Sequence, residues 1–226
     1  MATTSTAPAF LFDLDGTLID SVYQHVLAWR EALADAGVEL SVWRIHRRIG
    51  MSGGLFVNAL LREVHGTLNA ADVERLQGLH AEAFKRLASQ VRPLPGAREL
   101  LRVLASEGVL HAIATSGRMD TARRGLDMLE IGSDIPIVTR DMVRYAKPDP
   151  DLFLAAAERL NVPIERCVVV GDSIWDLLAA QRARALAVGL LSGGYGQEEL
   201  ERAGAYRVYQ DPRDLLEHLD EVGVRR

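Results

Sequence analysis

Two aspartates with one residue between them, Asp13 and Asp15, follow an apolar run near the start of this 226-residue chain. The run at 10–12 and the Gly16 after the aspartates are typical of a buried strand that ends in a turn. If the strand stays extended, both carboxylates point to the same side at its carboxyl end, where open α/β sheets bind ligands. Two carboxylates that close repel each other, so a cation between them or a proton on one is expected. A solvated turn is the alternative, because aspartate and glycine are common turn residues.

Polar residues also follow later strands that the sequence predicts. In a parallel sheet the carboxyl ends of all strands lie at one edge, so residues far apart in the chain can meet there. Each has a local alternative: a helix cap for the hydroxyls, a solvated loop charge for the lysine, and a favourable first helical turn for the aspartates. The residues concerned are Thr115, Ser116, Gly117, Lys147, Asp172 and Asp176.

Together these side chains favour phosphate chemistry. Carboxylate oxygens are suitable ligands for Mg²⁺. A lysine and the N–H groups of a turn are suitable donors to phosphate oxygens. Lys147 stands out because Lys85 is the only other lysine in the chain. The set therefore predicts a site for a phosphate ester and a divalent cation at the carboxyl edge of the sheet.

The rest of the chain shows two kinds of pattern. Between 20 and 90 the apolar spacing is helical, with one helix predicted over about 20–36, a second over 71–90 and no convincing strand. After a boundary at 93–96, Pro-Leu-Pro-Gly, strands and helices alternate up to a closing helix at 211–221. Such alternation indicates right-handed crossovers and a parallel sheet. The predicted class is therefore α/β, with the helical block inserted after the first strand as a second, smaller domain.

Composition excludes several classes of protein. With 48% apolar residues the chain can bury one core, or a core and a small domain. A net charge of −5 and a pI of about 5.7 provide no broad basic surface for nucleic acid or an anionic membrane. The single cysteine, Cys167, excludes an internal disulfide and is expected to be buried and inert. No stretch is apolar enough to span a membrane, and residues 1–9 lack signal-peptide features, so a soluble cytoplasmic protein is expected.

Four motifs follow one another along the chain: Asp13-Leu14-Asp15-Gly16-Thr17-Leu18, Ile113-Ala114-Thr115-Ser116, Lys147-Pro148-Asp149-Pro150 and Gly171-Asp172-Ser173-Ile174-Trp175-Asp176. In this order they resemble the motifs of the haloacid dehalogenase-like (HAD) superfamily of Mg²⁺-dependent phosphohydrolases. The resemblance covers about residues 10–220 and points to the branch that contains phosphoglycolate phosphatases and β-phosphoglucomutases. It implies a Rossmann-like core formed by residues 1–18 and 92–226, and a small all-helical cap domain formed by residues 19–91.

The resemblance also implies a role for each residue of the site. Asp13 would attack phosphorus and form an aspartyl-phosphate, while Asp15 would protonate the leaving alcohol and later take a proton from water. Mg²⁺ would be held by Asp13, the backbone carbonyl of Asp15 and Asp172. Asp176 would brace the groups around the ion. The phosphoryl oxygens of a small phosphorylated metabolite would be bound by Thr115, Ser116, Gly117 and Lys147.

Asp15 separates several related activities. Haloacid dehalogenases and phosphonate-cleaving relatives lack a carboxylate there, and the latter use a cap lysine, for which only Lys85 is available. A β-phosphoglucomutase-like phosphotransferase is a closer alternative, because it keeps every core motif. That family has basic cap residues where this chain has Ile49 and Gly53, although the pair at 47–48 is basic, so hydrolysis is favoured over transfer. A second alternative is a catalytically idle binding or regulatory protein on the same fold.

Substrate specificity is expected to come from the cap. Met51 and Ser52, in the glycine-rich loop at 50–54, are candidate substrate contacts, and a flexible connector is the alternative. His25 lies where the mutase family has a histidine, and a partly buried histidine on a helix face is the alternative to a substrate contact. A cap that opens and closes predicts hinges near 18–22 and 88–95.

Overall fold

The central element of the fold is a six-stranded parallel sheet, seen in a computed structural model that describes residues 7–51, 55–57, 59 and 70–224. The strand order is β5-β4-β1-β6-β7-β8, which places β1 in the middle of the sheet. Every neighbouring pair in this sheet is parallel, as the alternation of strands and helices predicted. The strands are β1 Ala9–Phe12, β4 His111–Ala114, β5 Ile137–Val138, β6 Cys167–Gly171, β7 Leu186–Leu190 and β8 Arg207–Tyr209.

Helices cover both faces of the sheet. Successive residues of β1 point to opposite faces, so Phe10 and Phe12 pack into one apolar cluster while Ala9 and Leu11 pack into the other. This arrangement explains why β1 is apolar at every position. The first face is covered by α4 Ala97–Ser106, α5 Met119–Met128 and α9 Pro212–Glu217, and the second by α6 Asp151–Leu160, α7 Ile174–Ala183 and α8 Gln197–Arg202.

The described part of the helical block includes α1 Val22–Asp35, α2 Val42–His46 and α3 Ala70–Leu87. They form an apolar cluster in which one face of α1, from Val22 to Leu33, is buried against Ile45, Phe56 and Leu76. The division into a core and a cap with a boundary at 18–19 and 91–92 stays a prediction. The two chain segments that join the block to the sheet pair with each other, because β2 Ile19–Asp20 is antiparallel to β3 Arg92–Pro93.

The closing helix is shorter than the sequence predicted. It ends at Glu217, and a separate 3₁₀ turn follows at Leu219–Val222. The break is at His218, whose ring Nδ1 lies 2.8 Å from the carbonyl oxygen of Asp214 and occupies the acceptor that the next helical N–H would use. In the part of the chain that the structure describes, no helix is long and apolar enough to cross a membrane.

Candidate active site

Lys147 is the centre of a buried charge cluster at the carboxyl edge of the sheet. Its side chain is fully buried, and its Nζ forms ion pairs with Asp13 and, at 2.7 Å, with Oδ1 of Asp176. Asp13 is positioned by the sheet itself, because its N–H donates to the carbonyl oxygen of Val170 on β6. The ammonium group also lies over the aromatic ring of Phe153, with Nζ 5.1 Å from the ring centre.

Asp172 and Asp176 join this cluster from the turn between β6 and α7. One carboxylate oxygen from each, together with one from Asp13, lies within 4.8 Å of the others. Thr17 donates its hydroxyl to Asp172 at 2.9 Å. Asp176 accepts from the N–H of Ser173 at 3.2 Å and so also completes a capping box at the start of α7.

Three buried carboxylates face one lysine, so the cluster carries excess negative charge. Burial raises the pKa of Asp13 to about 7, with Asp176 and Asp15 acting in the same direction and Lys147 against it. Burial, with the nearby charges of Asp176 and Asp13, holds the pKa of Asp172 well above its ordinary value. Oxygen donors that cannot all ionise without further positive charge fit a hard divalent cation such as Mg²⁺.

We expect Mg²⁺ to stabilise the protein more strongly as the pH rises from about 5 to about 8. A carboxyl whose pKa is higher in the folded than in the unfolded protein, as for Asp13, stabilises the fold at low pH. That contribution is lost as the pH rises from 3.8 through about 7, where the buried group becomes charged. A cation offsets this charge but must displace the proton at lower pH, so its Kd weakens about tenfold per pH unit for each proton released.

The measurement is the thermal unfolding temperature with and without MgCl₂ across this pH range. Asp172→Asn is the control, because it removes one carboxylate and should abolish most of the Mg²⁺-dependent increase. An increase in unfolding temperature that stays constant with pH would contradict the competition between proton and cation.

Asp15 points away from this cluster, toward the helical block. The expected extended strand through Asp15 does not form, because β1 ends at Phe12 and the chain turns at Gly16, which has a φ of +87°. Asp15 Oδ1 accepts from the Ser21 hydroxyl at 2.6 Å and lies 3.3 Å from His25 Nε2. Burial alone would raise the pKa of Asp15, but the charge of His25 and the hydrogen bonds from His25 and Ser21 outweigh it and lower the pKa.

A cavity of about 390 Å³ separates the sheet edge from the helical block. Asp13 and Asp15 lie on its wall together with Thr115, Ser116 and Gly117. The Thr115 hydroxyl accepts from the N–H of Gly117 at 2.9 Å. In the described part of the chain, the buried Ser116 hydroxyl has no hydrogen-bond partner. An unpaired buried hydroxyl is costly unless a ligand completes it, which suits contact with a phosphate oxygen.

The candidate cap residues fall in different places. His25 and Met51 line the cavity, and His25 also contacts the candidate acid, Asp15. Ser52 lies outside the described residues, as does the rest of the glycine-rich loop at 52–54. Cys167 is buried at the start of β6, and burial raises the pKa of its thiol to about 11, which fits the inert role expected of it.

Several residues of the cavity were not singled out from the sequence. His80 on α3 and two core arginines, Arg118 and Arg140, line it together with Arg48. The sequence position of Arg118 could have marked it as a residue of the site, because it directly follows the predicted phosphate-binding turn Thr115-Ser116-Gly117. The sequence provided no comparable indication for His80, which follows the apolar spacing of the helix predicted over 71–90.

Arg47 points the other way and joins the helical block to the core. Its guanidinium pairs with Glu199 and lies 4.2 Å from the centre of the Tyr195 ring. Its carbonyl oxygen accepts from the Tyr195 hydroxyl at 2.9 Å and from Trp175 Nε1 at 3.3 Å. Of the basic pair at 47–48, Arg48 alone therefore lines the cavity.

Gly193 lies so close to Asp172 that no side chain fits between them. A Cβ at this position would overlap the carboxylate of Asp172. We expect Gly193→Ala to displace that carboxylate, to weaken Mg²⁺ binding and to lower kcat by about tenfold or more, since small misplacements in a site have large effects. Calorimetric titration with Mg²⁺ and steady-state kinetics measure both effects.

Gly78→Ala is the matched control for this substitution. Gly78 lies within α3 and has open space around the position of a Cβ. The same change there should stabilise the fold by about 0.5–1 kcal/mol and leave Mg²⁺ binding unaltered. Equal effects of the two substitutions on Mg²⁺ binding would show that the close approach at Gly193 is unimportant.

Comparison with known proteins agrees with this geometry. A family model described as haloacid dehalogenase-like hydrolase matches residues 7–184. The chain belongs to the haloacid dehalogenase-like hydrolase family. The family that the four motifs predicted is therefore confirmed, as is the α/β class.

Three similar proteins are a hydrolase of known structure, a phosphatase and a mutase. A crystal structure of a hydrolase from Pseudomonas syringae is 56% identical with a TM-score of 0.94, covering 96% of this chain and 100% of that one. The phosphoglycolate phosphatase of Rhodospirillum rubrum is 31% identical over 212 residues, 90% of this chain and 87% of that protein. The β-phosphoglucomutase of Bacillus subtilis is 31% identical over 220 residues, 94% of each. Family and relatives together identify this member of the haloacid dehalogenase-like family as a phosphatase.

Proposed function

We propose that this haloacid dehalogenase-like enzyme is a Mg²⁺-dependent phosphomonoesterase that hydrolyses a small phosphorylated metabolite through an aspartyl-phosphate on Asp13. The observation that carries the proposal is the separation of the two motif aspartates into different environments. Asp13 lies with Lys147 beside Asp172 and Asp176, whereas Asp15 lies on the cavity wall and is held from the helical block. One site thus offers a nucleophile that is paired with a buried lysine and a separate proton carrier.

In the proposed reaction, a carboxylate oxygen of Asp13 attacks phosphorus as the ester P–O bond breaks. For this step Asp15 must first take up a proton against the effect of His25 and Ser21, which lower its pKa. It gives that proton to the departing oxygen, so the product leaves as a neutral alcohol. Water then attacks the aspartyl-phosphate while Asp15 takes its proton back, which releases phosphate and restores Asp13. Lys147 holds Asp13 in place, and Ser116 and the turn after β4 hold the phosphoryl oxygens.

Mg²⁺, when bound by Asp13, Asp172 and the backbone carbonyl of Asp15, would supply positive charge beside the phosphoryl group. Asp176 would act indirectly, by holding in place the groups around the ion. It pairs with Lys147 and accepts from the Ser173 hydroxyl at the start of α7. A cytoplasmic location and the absence of nucleic-acid and membrane partners belong to the same proposal.

Phosphoryl transfer between two positions of a sugar phosphate is the second candidate, and one observation favours it. Arg48, Arg118 and Arg140 line the cavity, so positive charge is present where a second phosphate would bind, despite Ile49 in the cap. Against this, Arg118 already pairs with Asp141 at 3.4 Å, and the Arg140 guanidinium donates to the carbonyl oxygen of Val143 at 2.7 Å. Hydrolysis therefore remains the primary proposal.

The test is phosphate release from p-nitrophenyl phosphate, phosphoglycolate and a set of sugar and nucleoside monophosphates, with Mg²⁺ and with chelator. Release that requires the metal supports the phosphatase. Conversion of β-glucose 1-phosphate to glucose 6-phosphate before free phosphate appears would favour the mutase. A folded protein that cleaves and transfers none of these esters would favour a binding or regulatory role.

A further inference from the structure

Arg47 is held by the core through both its side chain and its backbone. Its guanidinium pairs with both carboxylate oxygens of Glu199 on α8 and lies 4.2 Å from the centre of the Tyr195 ring. Arg47 directly follows α2, where a carbonyl oxygen has no N–H of its own helix to accept from. Two core side chains donate to it instead, the Tyr195 hydroxyl at 2.9 Å and Trp175 Nε1 at 3.3 Å. These contacts together form what we call the Arg47 anchor.

The chain also meets the core on either side of the anchor. On one side, His46 Nε2 lies 2.8 Å from the carbonyl oxygen of Gly193, which can only accept, so the ring donates. On the other side, Gly50 passes so close to Ser173 that a Cβ on Gly50 would lie 2.7 Å from the Ser173 hydroxyl oxygen. The anchor is therefore the middle of a continuous contact between the helical block and the core.

The four residues that follow the anchor in the chain, 48–51, all line the cavity. They continue from the anchor in tight turns, because the N–H of Ile49 donates to the carbonyl oxygen of His46 at 3.0 Å and the N–H of Met51 to that of Arg48 at 3.3 Å. Turns of this kind leave little slack between neighbouring residues. A displacement at the anchor would therefore be passed on to this part of the cavity wall.

We propose that Arg47 is a positioning residue, which sets the distance between the cavity wall at 48–51 and the phosphate-binding turn after β4. The wall belongs to the helical block and the turn to the core, so a contact between block and core fixes their separation. A partly exposed ion pair usually contributes little to stability. This pair differs because it is bidentate, and because the core also satisfies the carbonyl oxygen of the same residue.

The first test follows the position of the wall and does not depend on activity. Amide hydrogen exchange, read by mass spectrometry, compares the unaltered protein with Arg47→Met, which keeps a long side chain but loses the charged fork. The segment 48–51 should exchange about tenfold faster in the variant, whereas α1 and the sheet should exchange as before. Unchanged exchange at 48–51, or an equal acceleration throughout α1 and α3, would overturn the proposal.

The second test rests on the proposed function and compares two leaving groups of different size. The aromatic ring of p-nitrophenyl phosphate extends into the cavity, whereas acetyl phosphate carries only a two-carbon group. Arg47→Met should raise KM about tenfold for the aryl ester and less than about twofold for acetyl phosphate. The inhibition constant of inorganic phosphate, which occupies only the phosphate end of the site, should not change. Equal increases of KM for the two substrates would overturn the proposal.

Exchanging the two charges of the anchor tests the contact itself. Glu199→Arg alone should have the same effects as Arg47→Met, and the double variant Arg47→Glu/Glu199→Arg should recover part of the exchange protection and of the KM. Arg202→Met is the matched control, because it breaks an exposed ion pair with Glu198 on the same helix and should alter neither measurement.

A double variant that is no better than either single change would overturn the role of the Arg47–Glu199 pair. If the unaltered enzyme cleaves neither substrate, the proposed function fails, and the hydrogen-exchange measurement alone decides whether Arg47 positions the wall.

Discussion

Replacing Asp13 with asparagine is expected to lower kcat by about three orders of magnitude or more, because an amide cannot form the acyl-phosphate bond. The side chain keeps its shape, and Lys147 keeps its ion pair with Asp176, so the fold should survive. The measurement combines steady-state kinetics on p-nitrophenyl phosphate with mass spectrometry of acid-quenched enzyme. The unaltered protein should carry one additional phosphoryl group during turnover, and the variant none.

Glu198→Gln is the matched control for this change, because it converts a carboxylate to an amide on an exposed side chain that is paired with Arg202. Its kcat should equal that of the unaltered enzyme. A fully active Asp13→Asn would mean that water or another residue attacks phosphorus, and the aspartyl-phosphate mechanism would then be wrong.

Replacing Lys147 with methionine is expected to remove both activity and a large part of the stability. The substitution leaves Asp13 and Asp176 buried without the cation that pairs with them. Breaking a buried ion pair from one side costs about 3–5 kcal/mol. Urea unfolding in the presence of chelator measures this loss, and saturating Mg²⁺ should restore part of it, because the ion binds the same carboxylates.

The chain provides a direct control, because Lys85 is its only other lysine. Lys85 pairs with Glu82 on α3, and both side chains are about two-thirds exposed. Lys85→Met should therefore leave stability and kcat unchanged, since exposed ion pairs contribute little. If Lys147→Met unfolds at the same urea concentration as the unaltered protein, the buried cluster does not depend on the lysine in the way proposed.

The sheet and the meeting of polar residues at one edge could be predicted because both follow from local patterns. The apolar run of β1 can be recognised from a few consecutive residues. The apolar face of α1 can be recognised in the same way from the helical spacing of its apolar residues. Parallel topology then places the ends of β1, β4 and β6 together whatever the loops between them do. Thr17 and Asp172 are 155 residues apart in the chain, yet they bond directly because their strands are neighbours.

Local patterns could not predict which way each side chain turns once it leaves a strand. Asp15 looked like the partner of Asp13, but the chain bends after Phe12 and directs its carboxylate to His25. The closing helix looked continuous, but the ring of His218 takes a backbone acceptor and interrupts it.

The sequence by itself determined the class of the fold, the family and the set of residues available for phosphate chemistry. Only the tertiary structure decided how that set is shared between the core and the helical block. His80 meets His25 from 55 residues away, and Arg47 meets Glu199 from 152. Such contacts depend on how the helical block faces the edge of the sheet, and the periodicity of any one segment does not determine that orientation.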